Sequence, residues 1–576
     1  MLGKKIIRRK RNNSLTHPDS THPALQKVYA SRNINSLEEL DYRLENLLSF
    51  TLLDNIEEAA KLLSSTLMQQ KRIVVVADYD ADGATACALA IRGLKSMGFK
   101  NVQYIVPDRF EHGYGLSPEI VEMAATLEPD LLITVDNGIS SVEGVKLARD
   151  KGFEVLITDH HLPASVLPDA NVIVNPNLEN DSFPSKSLAG VGVLFYVLAA
   201  LRAELRQDGW FEQQNLPVPN LAQFLDLVAL GTVADVVPLD SNNRILVYHG
   251  LERIRQGKCV AGISALLNVA KRTPAKITSG DLGFSVGPRL NAAGRLTDMR
   301  LGIECLICDD QSTAMQMATK LDEINQQRRS IQQEMENEAI ADIEEMDLQA
   351  NEALPSGMCL YKEHWHQGVI GVLASKIKEI THRPVIAFAK ENDELLKGSA
   401  RSIRDVHIRD AIEAIATINP GLVLKYGGHA MAAGLSIELE RFDEFSILFA
   451  NEIDERIKMT GFDSELYSDG ELNADDFTIE LAEEFVRAGP WGQGFPEPRF
   501  DGVFKIMTSR IVGTKHLKLQ LCPEDGKPSI DAIAFNTTDE HWPGGFEKVQ
   551  TLYRLEINEY MGRRTPQLIV EHIEPI

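Results

Sequence analysis

The stretch IVVVADYDADG, residues 73–83, decides the fold of this chain, because a run of apolar residues ends there in three acids. Residues 73–77 do not alternate with polar residues, which is typical of a strand that is covered on both faces. Asp78, Asp80 and Asp82 stand at alternate positions and repel one another unless a cation lies among them. The stretch therefore predicts a buried strand whose carboxyl end carries a metal site.

Similar apolar runs follow this stretch, and segments with the pattern of helices separate them. Strands that alternate with helices predict a parallel, doubly wound α/β sheet. We predict strands over residues 73–77, 102–106, 131–135, 155–158 and 172–174, and helices over residues 85–97, 118–127 and 142–150.

Three of these strands end in an acid, namely Asp78, Asp136 and Asp159. Ligands of open α/β sheets bind at the carboxyl ends of the strands. One such acid could be a helix cap, but three are harder to explain in that way. We therefore expect the three acids to converge on one crevice.

Histidines and a further acid extend this set. His160 and His161 follow Asp159, and Asp235 follows another apolar stretch. Adjacent histidines on a loop are usually surface residues, but after a buried strand they are candidates for metal ligation. Mixed aspartate and histidine ligands suit Mn²⁺ or Mg²⁺. Two ions bridged by one acid, which we expect here, are typical of phosphoryl-transfer sites.

The length of 576 residues predicts several domains, since single cores stop growing at about 250–300 residues. Residues 311–347 have the apolar spacing of one long helix. Near the C-terminus, leucines alternate with polar residues over 517–521, which predicts strands of a small β-barrel. The predicted divisions are a basic arm with a short packed element (1–48), a catalytic domain (49–310), a connecting helix (311–347), a smaller mixed α/β domain (348–462) and a barrel that resembles an OB fold (463–576).

Composition narrows the class of protein. The formal net charge of −24 argues against a general nucleic-acid coat protein, but it is compatible with an enzyme that grips a few phosphates. No apolar run is long enough to cross a bilayer, and residues 188–201 are predicted to form a core helix. Six scattered cysteines indicate a reducing compartment, so we expect a cytoplasmic protein without membrane contact.

Two basic segments are candidates for contact with nucleic acid. The N-terminal basic cluster predicts a flexible arm, which could touch DNA or serve only as a solubilising tail. In the barrel, Lys515, His516 and Lys518 could contact a strand, and a solvated strand face is the alternative.

Several motifs resemble the DHH phosphoesterase superfamily. They are DYDADG (78–83), DNG (136–138), DHH (159–161) and the later Asp235. GGHAMAAG (427–434) and GSARS (398–402) are similar to its companion DHHA1 domain. GPRLNAAGR (287–295) and PWGQG (490–494) point more narrowly to the single-strand-specific DNA exonucleases of the superfamily. The resemblance covers most of the chain after about residue 50.

The resemblance implies roles for individual residues. The implied metal ligands are Asp78, Asp80, Asp82, Asp136, His160 and Asp235, with Asp136 as the bridge; Asp78 either ligates directly or orients the ligands. The implied catalytic residues are His161, Asp159 and Asp136, and His161 would contact the scissile phosphate or protonate the leaving oxygen. The implied DNA phosphate ligands are Arg109, Arg289, Ser399, Arg401 and His429, although a surface salt bridge is the alternative for each arginine.

The activity implied by the resemblance is metal-dependent 5′-to-3′ exonuclease hydrolysis of single-stranded DNA, in recombination and repair. The implied partners are single-stranded DNA, a single-strand-binding protein and a helicase, and a monomer is expected. Two alternatives stay open at this point. One is a phosphodiesterase of short oligonucleotides or cyclic dinucleotides, and the other is a non-catalytic DNA replication scaffold that has lost its metals.

Overall fold

The computed structural model describes residues 5–11, 21–108, 115–349, 354–460, 465–513, 515–524, 526, 529–537, 542 and 544–576, without the side chains of 347–349 and 459–460. The described residues form two compact units. The larger unit comprises those within Ile6–Gly294, Asp298–Asp322 and Glu465–Ile576, and the smaller unit those within Arg295–Thr297 and Glu323–Ser464, together with Lys5.

The first part of the chain contains six strands and most of the helices of the larger unit. The strands are β1 (Lys5–Arg8), β2 (Ile73–Ala77), β3 (Val102–Ile105), β4 (Leu131–Val135), β5 (Glu154–Thr158) and β6 (Val172–Val174). The helices are α1 (Pro23–Ala30), α2 (Ile56–Met68), α3 (Ala81–Ser96), α4 (Pro118–Ala125), α5 (Val142–Asp150), α6 (Gly190–Gln207), α7 (Trp210–Gln213), α8 (Leu225–Ala234), α9 (Ser241–Arg255), α10 (Ala261–Val269), α11 (Ser279–Asp281), a π-helix (Leu282–Val286), α12 (Gly287–Leu296) and α13 (Arg300–Ile307).

Strands β2 to β6 form a parallel sheet in the order β3-β2-β4-β5-β6. Alternate residues of β2 enter different hydrophobic clusters: Val75 packs in the cluster on one face, and Val74 and Val76 pack in the cluster on the other. Both faces of the sheet are therefore covered, which explains why the strand sequences are apolar without alternation. The predicted α/β class and the parallel sheet are confirmed.

The long helix and the smaller unit follow. Helix α14 (Gln311–Gln349) begins in the larger unit and continues into the smaller one. The smaller unit has a mixed sheet in the order β10-β11-β9-β8-β7, in which only β7 and β8 are parallel. Its elements are β7 (Met358–Tyr361), α15 (Ile370–Thr381), β8 (Val385–Lys390), β9 (Leu395–Arg401), α16 (Ile408–Ile418), β10 (Lys425–Gly428), β11 (Ala432–Glu438) and α17 (Phe442–Thr460).

The C-terminal part of the larger unit is a closed barrel, as predicted. Its strand order is β13-β14-β15-β17-β16. Leu517, Leu519 and Leu521 of β14 are buried inside it, because alternate residues of a strand point to opposite faces. The elements of this part are β12 (Glu465–Ser468), α18 (Ile479–Arg487), β13 (Phe500–Val512), β14 (His516–Pro523), β15 (Ile530–Ala534), β16 (Lys548–Tyr560) and β17 (Arg563–Pro575).

The described part of the N-terminal arm is packed, which differs from the flexible arm predicted above. Strand β1 pairs with β12 in a two-stranded sheet. Arg8 lies 2.7 Å from the Asp501 carboxylate, and the Arg11 guanidinium donates to the backbone carbonyl of Asp469 at 3.0 Å. These contacts use basic groups that could otherwise face DNA. No helix in the described ranges is both long enough and apolar enough to span a membrane.

Candidate metal centre and phosphate-binding residues

The carboxyl ends of β2, β4 and β5 place three acids side by side. Ala77 pairs with Val135, and Val135 pairs with Thr158, so the strands end in register. Asp78, Asp136 and Asp159 each come directly after one of these ends, and all three are buried. The convergence expected from the sequence is therefore present.

Asp136 has a backbone conformation that the surrounding residues hold in place. Its φ is +65°, in the left-handed region where aspartate and asparagine are among the more tolerated side chains. The side-chain amide of Asn137 donates to the carbonyls of Val76 and Val135 at 3.0 and 2.9 Å and ties the two strand ends together. A Cβ atom on Gly190 would lie 2.5 Å from the Cβ of Asp136. The absence of a side chain at Gly190 thus leaves room for the Asp136 carboxylate.

Asp80 and Asp82 lie at the start of α3. Asp80 is the N-cap of this helix and accepts hydrogen bonds from the backbone N–H groups of Asp82 and Gly83 at 2.9 and 3.0 Å. This cap explains why the helix begins at Ala81, four residues before the predicted start. The buried Asp82 carboxylate accepts from the N–H of Gly190 at 2.6 Å, at the first turn of α6. Both acids are therefore oriented by helix N-termini.

His160 presents a buried nitrogen to two carboxylates. Its Nε2 lies 3.1 Å from Asp136 Oδ1 and 3.4 Å from Asp235 Oδ2, and it makes no hydrogen bond with the described residues. Burial and the charge of His161 lower the pKa of His160 to about 4. A hydrogen bond to the Leu188 backbone uses the other side of the ring, so the Nε2 lone pair faces the acids. A neutral nitrogen aimed at two carboxylates suits a cation between them.

His161 is held by Asp159. Its Nδ1 lies 2.7 Å from Asp159 Oδ1, and the other carboxylate oxygen accepts from the N–H of Ile139 at 2.9 Å. Burial lowers the pKa of His161, but the hydrogen bond and charge of Asp159 outweigh it and raise the pKa to about 9. Asp159 therefore positions His161 and the loop after β4.

Ligand atoms of the predicted metal residues converge into three groups, in each of which they lie within 4.8 Å of one another. The groups are Asp78, Asp80 and Asp136; Asp82, His160 and Asp235; and Asp136, His160 and His161. All six predicted metal ligands belong to at least one group. Asp136 and His160 each belong to two of them, so the three groups adjoin one another.

The electrostatics of these carboxylates also fit a cation. Burial and the charge of Asp80 raise the pKa of Asp82 to about 7, against the opposing effect of its two backbone hydrogen bonds. Burial and neighbouring acids likewise raise the pKa of Asp78, Asp136 and Asp235 well above the ordinary value. Clustered acids that resist ionisation alone are stabilised in the charged form by divalent ions.

Three asparagines around this centre were not predicted from the sequence. The side-chain amides of Asn175 and Asn177, after β6, donate to the backbone carbonyls of His161 and His160 at 2.9 and 2.6 Å. Asn291 accepts from the N–H of Ala81 at 2.8 Å. The sequence signal that could have identified two of them is their position: Asn175 follows the end of a predicted strand, and Asn291 is part of the GPRLNAAGR motif.

Two of the predicted phosphate ligands, Arg109 and Arg289, are not placed by the structure in a phosphate-binding group. Arg109 lies outside the described residues. Arg289 is buried, and its Nε donates to Asp322 Oδ1 at 2.8 Å while another nitrogen donates to the Ser285 carbonyl. The guanidinium of Arg289 is thus engaged in a salt bridge, the alternative that the sequence left open.

The other predicted phosphate ligands gather at one end of the sheet of the smaller unit. Arg401 donates to the Ser399 hydroxyl at 3.1 Å, and it pairs across the sheet with Ala432. His429 lies in the turn before Ala432 and donates its N–H to that residue's carbonyl at 2.8 Å. A Cβ on Gly371, in the first turn of α15, would lie 2.9 Å from the Ser399 hydroxyl. The N-terminus of α15 therefore lies close to Ser399 and Arg401, an arrangement that suits an anion.

The barrel candidates are partly engaged in other contacts. Lys518 Nζ lies 2.8 Å from Asp531 Oδ2, which favours the solvated strand face for this residue. The His516 ring packs edge-on against Phe535 with centroids 5.1 Å apart. Lys515 is exposed.

Comparison with known proteins gives matches along the whole chain. Family models match as "DHH family, N-terminal domain" over residues 72–232, "DHHA1 domain" over 355–455 and "RecJ OB domain" over 468–572. The chain is 51% identical over 571 residues to the single-stranded-DNA-specific exonuclease RecJ of Dickeya dadantii (strain 3937), with 99% of both chains covered.

Two solved structures of RecJ from Thermus thermophilus are similar to this chain. The complex with Mn²⁺ has a TM-score of 0.79 and 29% identity, and the match covers 96% of this chain and 76% of that chain. The complex with Mg²⁺ has a TM-score of 0.73 and 27% identity, and the match covers 96% and 75%.

Proposed function

The chain belongs to the RecJ family of single-stranded-DNA-specific exonucleases, and we propose that it hydrolyses single-stranded DNA from the 5′ end and releases 5′-mononucleotides. The metal-dependent nuclease activity and its single-strand substrate agree with the function named for the relatives. The 5′-to-3′ direction of hydrolysis and the release of 5′-mononucleotides are proposed from the resemblance of the chain's motifs to this family. A role in recombination and repair fits the same family.

The observation that carries this proposal is the convergence of ligand atoms in two adjoining groups, one of Asp78, Asp80 and Asp136 and one of Asp82, His160 and Asp235. The groups adjoin because Asp136 Oδ1 of the first lies 3.1 Å from His160 Nε2 of the second. We propose that Asp78, Asp80 and Asp136 would hold one ion, that Asp82, His160 and Asp235 would hold the other, and that Asp136 would be shared by both. Two bound Mn²⁺ or Mg²⁺ ions would supply Lewis-acid activation of a water and charge neutralisation at the phosphate. Mn²⁺ is favoured over Mg²⁺ because imidazole is among the ligands.

The chain's own contribution to proton transfer lies with His161. The Asp159 carboxylate holds the ring by Nδ1 and favours its protonated form, so Nε2 carries a proton toward the metal centre. We propose that this proton is donated to the 3′ oxygen that leaves the scissile phosphate. The Asp159 carboxylate makes four hydrogen bonds with the described residues and acts by positioning.

The DNA end is proposed to bind through the smaller unit. Arg401, Ser399 and His429 offer a guanidinium, a hydroxyl and an imidazole at one sheet end, beside the N-terminus of α15. Arg109 is proposed for the same role because of its sequence motif alone. Arg289 is proposed to act less directly, since Asp322 neutralises it.

Partners, assembly and location follow the resemblance and the composition. We propose a monomer in the cytoplasm that works with a single-strand-binding protein, which shields the substrate, and a helicase, which creates it. The six cysteines are free, in keeping with a reducing compartment.

The test uses a long single-stranded DNA labelled at its 3′ end, incubated with the protein and Mn²⁺. Progressive shortening of the labelled strand, with a duplex of the same sequence left intact, is the expected result. Immediate release of the label as a mononucleotide would reverse the direction and overturn the placement of the end-binding residues. Absence of cleavage with Mn²⁺ and with Mg²⁺ would overturn the proposed activity.

A further inference from the structure

Phe284 is an exposed aromatic residue in an unusual helix. Its side chain is 83% exposed, whereas Leu282 and Val286 of the same π-helix are fully buried. π-helical turns are rare and occur frequently at functional sites. The wide turn here points one large apolar side chain into solvent while the residues on either side of it anchor the helix.

The π-helix lies beside the metal centre. A Cβ on Gly283 would lie 3.3 Å from the Val233 side chain, and one on Gly287 would lie 3.1 Å from the Cβ of Ala234. These two contacts are with the last turn of α8, which ends at Ala234, directly before Asp235, a proposed metal ligand. Phe284 therefore projects from a support that packs directly against the residues that position this ligand.

Val236 adds a second exposed apolar group at the same place. It follows Asp235, its side chain is 63% exposed, and its φ is +64°, a strained conformation for a β-branched residue. Such strain is often found at ligand clamps, where the surrounding structure imposes it. Phe284 and Val236 line the same cavity, and we call these two exposed apolar side chains the apolar platform.

The platform lines a cavity of about 880 Å³ within the larger unit. The cavity also has five arginines and four acids in its walls, and these groups largely pair with one another. Arg272 lies 3.2 Å from Asp281, and Arg499 lies 3.1 Å from Glu571. Because these acids engage arginines, the arginines are less available to a phosphate backbone, and Phe284 and Val236 offer exposed apolar surface in the same cavity.

We propose that Phe284, supported by Val236, is a stacking platform for a nucleobase of the single strand next to the scissile phosphate. This inference rests on the nuclease function proposed above and adds a positioning residue to it. Stacking on an aromatic ring tolerates any sequence, because every base has a π-face. It also favours single strands, since a base inside a duplex is already stacked and paired.

The experiment compares Phe284→Ala and Phe284→Trp with the wild-type protein in Mn²⁺, with Ile418→Ala as the matched control. Ile418 is 74% exposed and belongs to the smaller unit, so its truncation removes a similar exposed apolar group elsewhere. Two substrates are used, a normal single strand and the same strand with abasic residues at its first positions from the 5′ end. The abasic strand keeps the phosphates and removes the proposed partner of the ring.

On the normal strand, Phe284→Ala should raise KM by roughly 5- to 150-fold with a smaller change in kcat, the range expected for loss of one stacked base. Phe284→Trp and Ile418→Ala should stay near wild type. On the abasic strand, the wild-type protein should lose the same factor, and Phe284→Ala should lose nothing more. A thermal melt of Phe284→Ala should match wild type, since the side chain is exposed.

Two outcomes would overturn the inference alone. One is an unchanged KM for Phe284→Ala while the wild-type protein cleaves the normal strand. The other is an equal effect of the abasic residues on the wild-type protein and on Phe284→Ala, which would assign the platform to something other than a base. A wild-type protein that cleaves no strand would instead overturn the proposed function, and this inference with it.

Discussion

Replacement of Asp136 by asparagine tests the proposed metal-binding role of this residue separately from its role in the backbone fold. Asparagine has nearly the same shape and tolerates the left-handed φ of +65°, whereas alanine would add strain of roughly 1–2 kcal/mol there. The variant therefore keeps the backbone and removes the charge. We expect three effects that would not occur together for a purely structural residue.

The first effect is on the metal-free protein, which should become more stable. Burial and the charges of Asp82 and Asp80 raise the pKa of Asp136 in the folded state. An acid with a raised folded pKa costs stability as the pH rises above its unfolded pKa, and one pKa unit corresponds to about 1.4 kcal/mol. At pH 7 in EDTA, loss of the charge should therefore raise the Tm of the variant above that of the wild-type protein.

The second effect is a loss of stabilisation by Mn²⁺, and the third is a loss of activity. Mn²⁺ should raise the Tm of the wild-type protein as its concentration increases, because a ligand of the folded state stabilises it, and the variant should show little of this rise. Turnover of single-stranded DNA should fall by at least about a thousandfold, since a metal ion contributes several kcal/mol to the barrier and each 1.4 kcal/mol is tenfold.

The matched control is Asp226→Asn. Asp226 is also a fully buried acid with a raised pKa, but it accepts from the N–H of Val260 at 2.7 Å and belongs to none of the ligand groups. Its variant should keep the Mn²⁺-dependent rise in Tm and the turnover. If Asp136→Asn kept both as well, the two-metal centre proposed here would be wrong.

Three further predictions concern the surroundings of this centre. Gly190→Ala should abolish cleavage and lower the free energy of unfolding by about 1–3 kcal/mol, because the new Cβ would lie 2.5 Å from that of Asp136. The control is Gly192→Ala, whose Cβ would meet the Leu188 side chain at 3.2 Å. Equal activity of the two variants would contradict the argument. Asp159→Asn should lower kcat by about 10²-fold or more while Mn²⁺ affinity changes little, since His161 loses its orienting carboxylate. Single-turnover kinetics measure the rate, and calorimetric titration measures the affinity. A large loss of Mn²⁺ affinity with kcat intact would instead assign Asp159 to metal binding. Arg401→Ala should reduce the ratio of kcat/KM for 5′-phosphorylated strands to kcat/KM for unphosphorylated strands, and it should leave Mn²⁺ affinity unchanged. A preserved ratio would count against a phosphate contact of Arg401.

The strands were predictable because their signal is local. Each of the five predicted strands of the parallel sheet lies within one residue of its observed bounds, since burial on both faces requires unbroken apolar runs. Acids directly after such runs must lie at one edge of the sheet, so the place of Asp78 and Asp136 followed as well. The start of α3 was missed by four residues because Asp80, assigned to metal binding, also caps the helix.

Contacts between distant residues were not predictable in this way. Nothing near Arg289 in the sequence indicates that Asp322 binds its guanidinium. The packing of the N-terminal arm depends on Asp501, 493 residues from Arg8. The sequence shows that such residues are charged, but only the folded chain decides which charges meet.

The α/β class, the order of the domains and the acids that reach the metal centre could all be read from the sequence, because periodicity and strand-end position are properties of neighbouring residues. The folded structure decided how each group is used. It directs the Nε2 of His160 at two carboxylates and joins His161 to Asp159. It also engages Arg289 in a salt bridge and leaves Phe284 exposed on the π-helix that packs against the end of α8. These outcomes depend on burial and on distances between separate elements, which arise only when the chain is packed.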